Sequence, residues 1–195
     1  NTVTLLAGPP LGLYTFSTYS GEAMKRVTIE EEIQPPVVMW RCDGPTVILW
    51  RDGLLAYGED GRPVEDYQPP DALPGTLTDA LCTPGGAQVF FDDRNHEIRT
   101  LAPGGTPGYL IGGHDEQAEE LTVKRISDGA VDTLGELYVL DASRGQVHKY
   151  NHRGEFRSVV VQPTDLSASV RLSRPALLAV DALRNIWLYD EGDLS

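Results

Sequence analysis

The sequence contains no run approaching the roughly twenty apolar residues of a membrane-spanning helix, so no membrane insertion is expected. No signal peptide is visible. The chain opens on Asn1 rather than methionine and is read as processed, excised or part of a longer polypeptide. Its two cysteines are too few for a disulfide-stapled scaffold, and no CxxC or zinc-finger spacing occurs. Basic residues are scarce: 16 against 29 acidic ones, for a net charge of −13. An acidic surface repels phosphate backbones, which argues against nucleic acid as a partner. Of the basic residues only Lys25, Lys124 and Lys149 are lysines, a bias that points to a bacterial, GC-rich source. The nucleophile elbow GxSxG, the P-loop, the Rossmann fingerprint and HExxH are all missing, so the common enzyme classes lose their usual signatures.

What is plentiful is turn chemistry. Gly 20 and Pro 14 are scattered along the chain between short apolar runs, as many short strands require. Those runs recur. Thr78–Gly105 aligns without a gap on Ser127–Gly154 at an offset of 49, matching Asp79 to Asp128, Gly86 to Gly135, Asp92 to Asp141 and Gly105 to Gly154. The same offset places Val131–Asp141 on Val180–Asp190. Two looser copies precede these: Leu13–Lys25 matches Leu137–Lys149, and Val37–Tyr57 follows the same plan with shorter turns.

Each copy reads as four strands. An inner strand ends near Ala7, Cys42, Cys82, Val131 or Val180. The second strand is the most apolar: LYTFS, TVILW, QVFFD, LYVLD and IWLYD. A continuous apolar run of that length implies burial on both faces, as in a sheet packed between two others. Third strands are expected at Glu97–Leu101 and Gln146–Tyr150, and fourth strands at Tyr109–Ile111 and Phe156–Val161. Four strands every 40–50 residues predict an all-β fold, a β-propeller of four-stranded antiparallel blades.

Val131–Phe156, with its apolar–Asp, Gly, apolar strand ending in Asp, polar turn, Ile-like strand and Gly, resembles NHL repeats, as does Asp92–Gly105. The resemblance is good over residues 78–190 and loose over 1–77, where Ser17 and Trp50 replace the strand-end aspartate. It implies an incomplete six-bladed ring in a single propeller segment, with blades near 1–34, 35–75, 76–124 and 125–173 and a partial blade at 174–195.

Candidate site residues are few. Asp92, Asp141 and Asp190 recur at one repeat position, and Asp132 and Asp181 at another. Repetition suits a structural role, in which each carboxylate accepts backbone N–H groups of the adjoining turn. His96 and His152 fall in turns and His148 near a rim, with no metal-ligand spacing. The loop Gly112–Glu120 concentrates His114, Asp115 and Glu116 and is the first choice for a site peculiar to one blade. Ca²⁺ is the ion whose oxygen chemistry it would suit, although no cofactor is expected. Trp40, on an inner strand, is a second candidate for partner contact. Cys42 and Cys82, on neighbouring inner strands, are expected to be buried small residues too far apart to bond.

The functional expectation is a non-enzymatic interaction module for a protein partner or a larger assembly, with the extracellular or periplasmic space favoured. The alternatives are a metal-dependent hydrolase, lactonase or lyase, and a structural subunit.

Overall fold

Short β-branched and aromatic runs bounded by Gly, Pro, Asp and Asn form strands here wherever the repeat places them. A computed structural model describes every residue except 1, 9–10, 18, 34–36, 43, 51–52, 71–72, 74–75, 104, 113–122, 166–171 and 195. Among the described residues there are sixteen strands, two short 3-10 turns and no α-helix. The chain divides into two compact units, residues 1–39 with 44–67 and residues 40–43 with 68–195.

The first unit carries two antiparallel sheets. One runs β1 (Thr2–Ala7), β2 (Gly12–Ser17), β3 (Ala23–Thr28); the other runs β4 (Val37–Arg41, whose last two residues fall in the second unit), β5 (Thr46–Trp50), β6 (Gly53–Tyr57). Leu13, Ile29, Ile48 and Tyr57 form their common core. Among the described residues each sheet shows three strands where four were expected. In the second sheet a trace of the fourth remains: Tyr57 bridges Pro63, and Val64 N donates to Ala56 O at 2.8 Å. Proline has no N–H to extend such a ladder, which limits the pairing to a bridge.

In the second unit the expected plan is complete. One sheet runs β7 (Asp79–Cys82), β8 (Gln88–Asp92), β9 (Glu97–Leu101), β10 (Pro107–Gly112). The next runs β11 (Ile126–Val131), β12 (Leu137–Asp141), β13 (Gln146–Tyr150), β14 (Phe156–Val161). The last pairs β15 (Pro175–Val180) with β16 (Ile186–Asp190). All five residues of β12 are buried. Because side chains alternate along a strand, Leu137 and Val139 pack with Val89 and Phe91 of β8, while Tyr138 and Leu140 pack with Leu178 of β15. A thin sheet is thereby kept dry on both faces by its two neighbours. On β16, Ile186 and Leu188 join the same core, while Trp187 and Tyr189, the repeat equivalents of Tyr138 and Leu140, are exposed.

The repeat holds at the level of backbone conformation. Gly86, Gly135 and Arg184, spaced by 49, have φ of 79°, 79° and 64°. The turn between the first two strands of these three sheets thus needs the left-handed region, and the last copy meets it without glycine. Gly129 answers a different demand: a Cβ there would sit 2.2 Å from the Phe91 ring. Close approach of β11 to β8 depends on its missing side chain.

Cys42 and Cys82 correct the sequence reading. They form a disulfide with a Cα–Cα distance of 5.5 Å. Cys42 lies just beyond β4 and Cys82 is the last residue of β7, so the two backbones meet at their strand ends. That spacing is a tertiary quantity which strand assignment alone does not give. Trp40, in the same unit, is buried and meets the Phe90 ring edge-on at a centroid distance of 5.5 Å.

Two outcomes follow. Replacing Gly135 by Ala should cost about 1–2 kcal/mol, since the αL conformation now carries a Cβ, whereas Arg184→Gly should be neutral or mildly stabilising; urea titrations of the two variants check the contrast. The disulfide closes a loop with a sequence separation of 40. Its reduction, or Cys42→Ser with Cys82→Ser, should lower stability by about 3–4 kcal/mol, read from the denaturation midpoint with and without reductant.

Candidate functional site

Antiparallel pairing sets which loops share an end of the second unit's sheets. Ile126 at the start of β11 faces Asp141 at the end of β12, and Pro175 faces Asp190 in the same way. The segments that enter the inner strands and the turns that follow the second strands therefore gather at one end. The strand-end aspartates stitch these pieces together. Asp92 accepts Asn95 N at 3.1 Å, Asn95 Nδ2 at 2.7 Å and the Thr76 hydroxyl at 2.5 Å. Asp141 accepts Ser143 N at 3.0 Å, the Ser143 hydroxyl at 2.7 Å and Lys124 N at 2.9 Å. Asp190 accepts Gly192 N at 2.7 Å and Ser173 N at 2.6 Å. One carboxylate thus holds both its own turn and the chain 16–17 residues upstream. Burial alone would raise the Asp92 and Asp141 carboxyls, but these donors outweigh it and hold both below the ordinary aspartate value.

The opposite end has its own repeated device. Asp132 Oδ1 accepts Leu134 N and Glu136 N at 2.9 and 3.0 Å, and Asp181 Oδ1 accepts Leu183 N and Asn185 N at 2.9 and 2.8 Å. Their second oxygens take Tyr138 OH and Trp187 Nε1, each at 3.3 Å. Thr83 does the same in the preceding blade, its hydroxyl accepting Ala87 N at 3.0 Å. Short polar side chains close these turns internally.

Two features at this level escaped the sequence reading. Asp79 and Asp128 stand on adjacent inner strands and hydrogen-bond through their side chains. Asp79 Oδ1 also accepts Ala80 N at 2.7 Å; Asp128 accepts Gly129 N at 2.8 Å and Leu178 N, on the next inner strand, at 2.6 Å. Burial first, then the charge of Asp128 and the bond to it, push the Asp79 carboxyl up to about 7. Their alignment at offset 49 was visible in the sequence, but nothing in it showed that the two carboxyls meet.

The second feature is a cleft of about 230 Å³ at the loop end, between the β11–β14 and β15–β16 sheets. Its walls include Arg125, Ser127, Ala142, Arg174, Ala176 and Glu191. The repeat signal could have found it, because Arg125 and Arg174 are 49 apart, but they lie just outside the aligned stretches.

His114, Asp115 and Glu116 lie outside the described residues. Trp40 belongs to the core of the second unit. His148 is not near a rim: it is 1% exposed, its Nδ1 has no partner among the described residues, and burial lowers its pKa. Alternation along β13 turns it inward beside Phe156, at 5.9 Å between ring centroids. Among the described residues no three His, Cys, Asp or Glu side chains converge as a metal site would require.

No protein-family model matches this chain. No curated protein matches it. Solved structures do. A protein of unknown function from Bacteroides thetaiotaomicron has a TM-score of 0.71 at 13% identity, over 97% of this chain and 54% of the other. A chain of the nidogen/laminin complex gives 0.63 at 15% identity, over 97% and 67%. A catalytically inactive virginiamycin B lyase from Staphylococcus aureus, solved with quinupristin, gives 0.57 at 13% identity, over 93% and 57%. The chain thus spans about half the length of the first of these. At such identities the likeness shows the fold, and the fold is a β-propeller.

The Asp79 pair sets a pH dependence of defined sign. A carboxyl whose folded pKa is raised contributes its full stability below the unfolded value near 4 and loses it as pH rises towards 7. Asp79→Asn, which keeps the hydrogen bonds without the proton, should therefore be more stable than the wild type at pH 8, by on the order of 2 kcal/mol. At pH 4 the two should coincide. Thermal melts across that range check both points.

Proposed function

We propose that this β-propeller chain is a non-enzymatic binding module of the NHL-like, six-bladed kind, which engages a protein partner or a larger assembly through the loop end that carries the cleft. The observation that carries the proposal is the fate of the polar groups. The repeated carboxylates Asp92, Asp141 and Asp190 are consumed by backbone and hydroxyl donors of their own blades. What remains at that end is a polar cleft lined by Arg125, Ser127, Ser173, Arg174 and Glu191, in which Arg174 pairs with Glu191 and the serine hydroxyls donate to Pro175 O and Asp190, leaving Arg125 without a carboxylate partner among the described residues. Such a surface recognises; it offers no nucleophile beside a base and no convergent metal ligands among the described residues. The Cys42–Cys82 bond suits an oxidising compartment, which supports an extracellular or periplasmic setting.

The likeness to a chain from a nidogen/laminin complex agrees with a role in assembly, and the likeness to virginiamycin B lyase keeps a lyase or metal-dependent hydrolase as the competing reading. Both likenesses rest on the fold alone.

Affinity capture with the purified chain, followed by reconstitution with the recovered partner, tests the module. Ala176→Arg, which fills the cleft, should weaken partner binding by about tenfold or more, while Leu134→Arg at the opposite end should leave it unchanged. The reverse pattern would move the interface to the other end. One equivalent of tightly held divalent metal by elemental analysis, with turnover that depends on it, would replace the module by the enzyme.

A further inference from the structure

The cleft lies where two consecutive blades depart from each other. Arg125 and Arg174 are repeat equivalents, and their backbones behave alike: Ala142 N donates to Arg125 O at 2.9 Å, and Glu191 N donates to Arg174 O at 3.0 Å. Their side chains do not. Arg174 Nη2 donates to Glu191 Oε2 at 2.9 Å. The position equivalent to Glu191 in the preceding blade is Ala142, which lines the cleft. Among the described residues no carboxylate lies within ion-pair distance of the Arg125 guanidinium. The frame is therefore repeated, the cation is repeated, and the anion is replaced by a methyl group and open space. Ser127, where the next blade has Ala176, lies on the same wall, its hydroxyl donating to Pro175 O at 3.5 Å.

We propose that this cleft binds a small carboxylic acid, whose carboxylate Arg125 receives in the place that Glu191 fills beside Arg174. The proposal rests on the reading of this loop end as the binding surface and names the chemistry it takes. A guanidinium offers a carboxylate two parallel N–H donors, the geometry for which arginine is best suited. The volume sets the size: at about 30 Å³ for each water-sized group, the cleft holds on the order of eight non-hydrogen atoms. The net charge of −13 sets the valence, because a long polyanion would be repelled by the rest of the surface while a short mono- or dicarboxylate feels chiefly the local cation.

Calorimetric titration of the full chain with succinate, at constant ionic strength, tests this. Saturable binding is expected in the millimolar range. Arg125→Gln should weaken it about tenfold or more. Ala142→Glu, which rebuilds within the protein the pair found in the next blade, should do the same, while Ala142→Ser should bind as the wild type does; circular dichroism confirms that each variant is folded. The proposal is overturned by the absence of saturable binding up to tens of millimolar succinate, by unchanged affinity in Arg125→Gln, or by preference for inorganic phosphate over succinate. These outcomes are separable from those for the module. Partner binding sensitive to Ala176→Arg without any succinate binding removes the carboxylate site and leaves the module standing, and succinate binding without a partner does the opposite.

Discussion

The structure of the second unit depends on one constraint, the double-sided burial of the second strand in each sheet. A sheet of four short strands has two apolar faces and too little thickness to shield either. In β12 the alternation of side chains sends Leu137 and Val139 one way and Tyr138 and Leu140 the other, and both sets are buried because a sheet lies on each side. Much else follows from it. Sheets can approach closely only where a side chain is absent, as at Gly129 over Phe91. A strand buried on both faces must end abruptly, and its terminal polar groups must be satisfied on the spot. Asp141, fully buried, meets that need by tying its own turn to the incoming segment at Lys124.

Function is then best sought where the repeat breaks. Groups that recur serve the frame, and their hydrogen bonds are already spoken for. Ala142 against Glu191, and Ser127 against Ala176, are breaks of the opposite kind: equal backbone, unequal chemistry. The Asp79–Asp128 contact is another, since the residue 49 beyond Asp128 is Leu177, which holds no carboxyl. A carboxyl raised by its neighbour on the next inner strand, and an arginine in a cleft with no carboxylate partner among the described residues, are both invisible to any rule that treats the blades as identical.

Much of the frame was legible in the sequence. The second strands QVFFD, LYVLD and IWLYD, the third strands Glu97–Leu101 and Gln146–Tyr150 and the fourth strand Phe156–Val161 were bounded to the residue, because strand length, turn glycine and burial all repeat together. Where the repeat decays, legibility decays with it: among the described residues the first two sheets show three strands rather than four, and Pro63 limits the pairing in one of them. The site was far less legible. Whether Cys42 reaches Cys82, whether Asp79 meets Asp128, and what Arg125 lacks are distances between chain-distant atoms, which periodicity does not encode. His148 was misplaced for a related reason: its place between Val147 and Lys149 on a third strand suggested a rim, and the alternation of β13 put it inside.

Amide hydrogen exchange on the intact chain tests the central claim most directly. If double-sided burial of the second strand holds the second unit together, the amides of Val89–Phe91 and Leu137–Leu140 should be the slowest to exchange there, with those of the outer strands β10 and β14 opening well before them. Equal protection across all four strands of a sheet, or slower exchange in β14 than in β12, would contradict it.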